Sequence, residues 1–557
     1  MKYGNFSLMV GVMLGTIAMS AVEAIALTPE ACDLTLTSPT TVPTLTIPLE
    51  VAFAGQKLTI QVTGSTVFNR AEIAEAIAPI LQNYPPSDLT ESELLALIRT
   101  LSDRITLLYR DRGYTLTATR PRSTLLEAEI EIQVSEGRIA EIQIEGRQRL
   151  NLSYLCDRLN LSNPFNSEEF EDKLRLLRFD PMLANVNATL LFRADKQRIL
   201  RVEVQEKPFL SGQLSIDNYA SPRVGSERLG VNLQARNLTG IGDELFAAYT
   251  HTTTGGVDDI DLRYRFPIDA TAGSLEARYN PSWSAITQPE FVPLGIRANK
   301  TVYELTYYQP VVRSPQTEFT LSLGFSYQEG QTFLFEQIPF AFGIGPDKNG
   351  ISRTSVVRFG QDYLLRQDTT VWSARSRFNF GTDLFNPTTN PSPIPDGHFF
   401  SWWGQLQYIQ QLNDRHLLIV AAETQLSPHT LLPAHRFTLG GGRSLRGYRE
   451  NARSGDNGFR MSIEDRITLW QDNDLNSTIQ LAPFFDFGQV WNTPGNPNQL
   501  PSQTFLAAGG MGLGWQNFMG ISGFNLRLDY AYPLVELSDR GENLQDQSLY
   551  FSLTYQF

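Results

Sequence analysis

Few residues in this chain are spaced for covalent or metal chemistry. The five histidines are His251, His398, His416, His429 and His435, and no two form the HxxxH or HExxH pair that puts zinc ligands on one helix face. His429 and His435 flank a proline-containing turn, which predicts that both face solvent. No serine stands in the G-x-S-x-G elbow of a nucleophile. GRSLRGY, residues 442–448, contains G-x4-G but lacks the Lys-Ser/Thr that holds phosphate and Mg²⁺. GGMGLG, residues 509–514, misses the dinucleotide spacing and sits inside a strand pattern, where small residues relieve crowding. The expectation is a protein that is not an enzyme and has no cofactor and no metal.

The stretch with unusual chemistry is 439–460, LGGGRSLRGYRENARSGDNGFR. Its glycines permit tight turns and close backbone approach. Arg446 offers a planar fork of donors suited to a carboxylate. Composition alone would make this a surface loop without a task, but its flanks supply a partner. In IQLAPFFDFGQVW, residues 479–491, Leu481, Phe485 and Phe487 fall on one face of a strand, and Asp486 and Gly488 on the other. Asp486 is then a fixed counter-charge for Arg446 on an infolded loop. Desolvation offsets much of such a pair's attraction, so its value lies in fixing the loop's position.

The elements that must hold this pair are strands. From Pro208 to Phe557 the sequence alternates with period 2. In TEFTLSLGFSYQ, residues 317–328, Phe319, Leu321, Leu323, Phe325 and Tyr327 share a face; in GFNLRLDYAY, residues 523–532, Phe524, Leu526, Leu528, Tyr530 and Tyr532 do. Asn525, Arg527 and Asp529 take the opposite face. The apolar face is heavy in aromatics, and strands of ~10 residues suit a tilted membrane crossing. The expected fold is a transmembrane antiparallel β-barrel of about 16 strands at ~20 residues per strand and connection, over 209–557. SLYFSLTYQF puts Leu549, Phe551, Leu553, Tyr555 and Phe557 on one face; an aromatic ending of this kind resembles the C-terminal signature of bacterial outer-membrane barrels, with Tyr555 and Phe557 as the barrel-assembly signal.

Ahead of the barrel the texture is different. Residues 1–26 read as a signal peptide, with Lys2, an apolar run over 6–18 and the small-x-small site Ala24-Ile25-Ala26. Residues 27–57 read as a Thr/Pro-rich tail or linker. Residues 58–137 and 138–208 each read β-α-α-β-β, two small α+β modules in tandem. The net charge of -13 and pI ≈ 5.1 exclude a nucleic-acid partner. Cys32 and Cys156 allow one disulfide without requiring it.

Taken together, these features resemble a known family. The tandem modules look like POTRA domains, LRGY (Leu445, Arg446, Gly447, Tyr448) resembles the loop signature of the POTRA-plus-barrel outer-membrane superfamily, and FFDFG, residues 484–488, resembles the strand motif that seats that loop. More specifically, the chain is similar to two-partner secretion translocators of the TpsB, haemolysin secretion/activation type. Two modules, the first barrel segment with Asp217-Asn218, Gly225, Arg228 and NLTGIGD at 237–243, and SGDNG at 454–458 followed by Glu464 carry the narrower match. Family members often begin with a plug helix; residues 27–56 show no amphipathic helix.

The resemblance implies an outer-membrane protein with its modules in the periplasm, exporting an unfolded client exoprotein. The modules would bind the client by β-augmentation, the barrel would form the pore in outer-membrane lipid, and barrel-assembly machinery and periplasmic chaperones would serve biogenesis. A barrel-assembly insertase usually carries more modules, and a passive porin needs neither modules nor the LRGY loop.

Overall fold

The computed structural model describes residues 30–32, 44–84, 88–123, 129–193, 197–269, 271–539 and 541–557; the expected signal peptide lies outside them. The first module packs two helices against one sheet. Asn69 caps Arg70–Leu81 and Thr90 caps Glu91–Asp111, each in a capping box closed by the glutamate three residues on, Glu72 and Glu93. Leu97, Leu101, Ile105 and Tyr109 recur at helical spacing and bury against Ile60, Ile130 and Ile132. The strand order is Leu45–Phe53, Gln56–Thr63, Glu129–Ser135, Ala118–Ser123.

The second module repeats this plan. Its sheet runs Glu30–Cys32, Glu141–Glu145, Arg198–Glu206, Leu183–Phe192, covered by Leu152–Leu159 and Ser167–Arg178. Asn166, one residue before the serine that opens this last helix, is its cap. That frees the Ser167 hydroxyl to donate to the Gly113 carbonyl at 2.9 Å, tying this helix to the end of the first module's long one.

The structure corrects the expectation of a tail over 27–57. Leu45–Phe53 is a strand of the first module, with Ile47, Leu49 and Val51 facing its core. Pro48 sits where the ladder with Gln56–Thr63 breaks register, the place a sheet tolerates proline. Glu30–Cys32 joins the second module's sheet, and Cys32 is bridged to Cys156.

Sixteen antiparallel strands from Leu210–Asp217 to Leu549–Gln556 close into a barrel, with the two-residue strand Ile338–Pro339 added to one of them. The last strand pairs with the first from Ser552↔Asp217 to Gln556↔Gln213. Strands run from eight residues in Leu210–Asp217 to eighteen in Thr317–Leu334, so several exceed the ~10 a membrane crossing needs. The apolar face points outward: Leu323, Leu528, Tyr530 and Tyr532 are exposed while Asp486 and Asp529 are buried inside. Tyr279, Tyr303 and Tyr327 lie side by side on neighbouring strands, their rings 5.2 and 6.4 Å apart, as one arc of an aromatic girdle.

The chain enters the barrel from the second module at Leu210. The turns at that end, such as 314–316 and 367–369, are short; the opposite end carries the long connections 335–350, 382–399, 427–456, 492–504 and 534–548. The second module rests on the turn 237–243, where the Asn151 amide donates to the Gly240 carbonyl at 2.7 Å. Tyr154 packs where a side chain at Gly242 would stand. Burial, reinforced by the adjacent Asp180 carboxylate, holds the Tyr154 phenol above its ordinary range, so it stays a donor to both Asp180 oxygens at 2.9 Å.

Candidate functional site

The connection 427–456 does not stand out from the barrel; it folds into it. Its base is a small hairpin, Phe437–Leu439 paired with Arg453–Gly455. Gly488 makes room for that base: a side chain there would press on Leu439 and on the Phe459 carbonyl. Leu445 and Tyr448 at the tip then bury with Leu439, Val490, Leu506 and Ala508. A loop whose apolar residues are covered by the wall is a packed element rather than a solvated one.

Arg446 reaches the partner its chemistry predicts. Nε lies 2.7 Å from Asp486 Oδ2 and Nη2 lies 2.9 Å from Oδ1, a bidentate pair. The Arg446 amide donates to the same carboxylate at 3.1 Å. Nη1 donates to Glu464 Oε2 at 2.7 Å and stands 3.6 Å from Asp529 Oδ1. The guanidinium carbon sits 3.3 Å from the centre of the Phe484 ring, a cation–π contact.

The carboxylates around Arg446 are themselves balanced. Arg527 donates to Glu464 at 2.9 Å and to Asp529 at 2.7 Å, and Arg466 donates to Glu464 at 2.8 Å. The Ser462 hydroxyl donates to Asp486 at 2.7 Å. Arg446, Arg466 and Arg527 thus face Glu464, Asp486 and Asp529, the charge match a buried cluster requires. Gly510 and Gly512 on the adjoining strand leave the space filled by the Phe484 ring and the Arg527–Asp529 pair.

Gly447 and Tyr448 are held by the end of the chain. Gly447 has φ +93°, and its amide donates to the Tyr550 hydroxyl at 2.9 Å. The Tyr448 hydroxyl lies 2.8 Å from the Ala507 carbonyl and 2.9 Å from that of Val535, sharing its proton between them. Beyond the tip, Arg449 pairs bidentately with Asp546 at 2.9 and 2.7 Å, and Arg453 with Asp539 at 3.0 and 3.1 Å.

Sequence reasoning places Leu445, Arg446, Gly447, Tyr448, Asp486 and Gly488 together, and the structure assembles them. It missed Glu464 and Asp529 as partners of Arg446, Phe484 as its platform and Tyr550 as an anchor. Phe484 shares the face of Asp486 by period 2, so that signal was available; the other contacts depend on strand register. Tyr555 and Phe557 lie elsewhere, at the seam. The Phe557 amide donates to the Gly212 carbonyl at 3.0 Å, its ring lies over Gly212, and the Tyr555 and Phe557 rings stack 6.1 Å apart. One expectation is overturned: His429 is exposed, but His435 is half-buried, its Nε2 3.0 Å from Thr354 Oγ1 and its ring 4.6 Å from Phe399. The inward fold of the connection carries His435 against the wall.

The sequence model of the haemolysin secretion/activation proteins ShlB/FhaC/HecB matches residues 197–515, more than half of the chain. The chain belongs to that family. The family match takes in the whole loop, Arg446 and its three carboxylate neighbours except Asp529. Among curated relatives of this family member, the Heme/hemopexin transporter protein HuxB of Haemophilus influenzae is 23% identical over 507 residues, 86% of this chain and 84% of that protein. Among solved structures, CdiB from Escherichia coli superposes with a TM-score of 0.69 at 18% identity, covering 95% of this chain and 94% of that one. BamA from Haemophilus ducreyi lacking POTRA domains 1-3 superposes with a TM-score of 0.52 at 15% identity, covering 91% of this chain and 100% of that one. At these identities the solved structures speak to the fold of the family member, a barrel preceded by small α+β modules.

Proposed function

We propose that this protein is an outer-membrane translocator that exports an unfolded partner polypeptide from the periplasm to the cell surface. The observation that carries the reading is the LRGY loop, folded into the barrel and fastened there by Arg446 to Asp486 and Glu464. A passive porin needs neither the LRGY loop nor two modules at its mouth. The family's name and its transporter relatives point the same way.

In this reading the POTRA modules, in the periplasm, take up the client in extended form, and the polar lumen with its infolded loop lines the path outward. Backbone pairing at a sheet edge draws its affinity from main-chain hydrogen bonds, so it suits an unfolded client. Client folding at the surface supplies the direction. Arg446, Gly447 and Tyr448 set the loop's position; Asp486 and Gly488 are its seat; Tyr555 and Phe557 act in barrel assembly.

The test compares secreted and outer-membrane proteins from cells with and without this chain. Loss of one or a few large proteins from the medium or surface, with other barrels intact, is the expected result. A general fall in outer-membrane barrels would overturn export in favour of an insertase.

A further inference from the structure

The two modules are built alike down to one edge strand, and that strand has different origins in each. In both sheets the parallel central pair is flanked on one side by an extra antiparallel strand. In the first module it is Leu45–Phe53, the other arm of a tight hairpin with Gln56–Thr63. No such hairpin precedes Glu141–Glu145. Its edge is covered instead by Glu30–Cys32, with Glu30↔Ile144, Ala31↔Gln143 and Cys32↔Ile142 in register.

We infer that Glu30–Cys32 is a resident strand that closes a polypeptide-docking edge of the second module, and that the Cys32–Cys156 bridge keeps it there. The inference rests on the reading that the modules take up an extended client. The resident strand displays how an extended segment seats on this edge: antiparallel, with a small side chain turned into the core beside Ile142 and Ile144, where Cys32 lies buried. The occupant the open edge would take is an extended polypeptide segment with a small apolar residue at that position.

Three residues of ladder return about what it takes to order them, and Glu30–Cys32 is separated from its partner by the whole first module. The Glu30–Arg147 ion pair adds little, because Glu30 is exposed. The bridge spans 124 residues and turns a weak contact into a permanent one by raising its effective concentration. A longer client segment pairing all of Glu141–Glu145 would displace the strand only where the bridge is open. With the bridge formed, client pairing falls to other edges, among them Ala118–Ser123 of the first module.

The experiment uses the full chain in lipid bilayers. Amide hydrogen exchange is followed over Glu141–Glu145 in the wild type and in Cys32→Ser/Cys156→Ser, with the amides of Arg198–Glu206 as a check on the sheet. The probe is a dye-labelled peptide copying residues 28–36 with serine for cysteine. The expected result is exchange about tenfold faster at the edge in the double variant, unchanged protection in Arg198–Glu206, and peptide binding by the double variant alone. Glu30→Arg, with its bridge intact, should match the wild type. An edge that stays protected and refuses the peptide without the bridge would overturn the inference, as would equal opening by Glu30→Arg. Joint loss of protection in both strands would overturn it too, making the bridge a support of the whole module. Peptide capture by the opened edge, alongside unaltered secretion in cells lacking this chain, would instead sink the export reading and leave the edge assignment standing.

Discussion

The hydroxyl of Tyr550, on the strand that closes the barrel, donates to the carbonyl of Tyr448 at the loop tip across 2.6 Å. The same oxygen accepts the Gly447 amide at 2.9 Å. Tyr550→Phe keeps the ring and removes both bonds; the Tyr448 carbonyl still accepts the Gly441 amide at 2.9 Å, so the main cost is the buried Gly447 N–H, at about 1–3 kcal/mol. The expected outcome is a folded barrel at normal level, a loop cut faster by added protease, and reduced secretion.

Arg446→Ala should be more severe for the loop. It leaves Asp486 buried without its main counter-charge, and losing one partner of a buried pair typically costs about 3–5 kcal/mol. Arg446→Lys keeps the charge but cannot form the bidentate pair and reach Glu464 together, so it should fall between. Secretion measured at equal surface level checks both; full secretion by Arg446→Ala would refute the positioning role. Arg446→Ala/Asp486→Ala should lose less than the sum of the single changes, read as a double-mutant cycle on loop protease resistance.

Gly447→Ala meets two obstacles. The residue lies at φ +93°, and an added Cβ would stand 2.8 Å from the Ala508 Cβ. Gly255→Ala is the control: φ +72° with open space around it. Backbone strain of about 1–2 kcal/mol applies to both, but the clash only to the first. Secretion should fall for Gly447→Ala and hold for Gly255→Ala.

Gly212 lies directly under the Phe557 ring at the seam. Gly212→Val should push that ring away and weaken the pairing of the first and last strands, lowering the amount of folded barrel while leaving secretion per folded barrel unchanged. Heat-modifiable migration of the outer-membrane fraction measures the first quantity and secretion normalised to it the second.

The barrel was legible because period 2 survives wherever one face meets lipid and the other the lumen, as in Phe524–Pro533. The Arg446–Asp486 pair was legible because a strand fixes which side Asp486 takes and a lone loop arginine needs a counter-charge. Glu464 and Asp529 were not, since they come from different strands and meet Arg446 only through register and shear. In Leu45–Phe53 the buried Ile47, Leu49 and Val51 follow the same alternation, but the surrounding Thr and Pro masked it. Glu30–Cys32 is too short to carry any periodic signal. His435 was misplaced because its surroundings depend on a connection turning inward.

The loop tip draws its partners from Glu464, Asp486, Ala507, Asp529 and Tyr550, spread across the five last strands of the chain. It precedes all of them in sequence. The tip therefore cannot settle until the wall it leans on has been completed, so its seating reports that assembly is finished: a barrel stalled one strand short would hold a half-fastened tip.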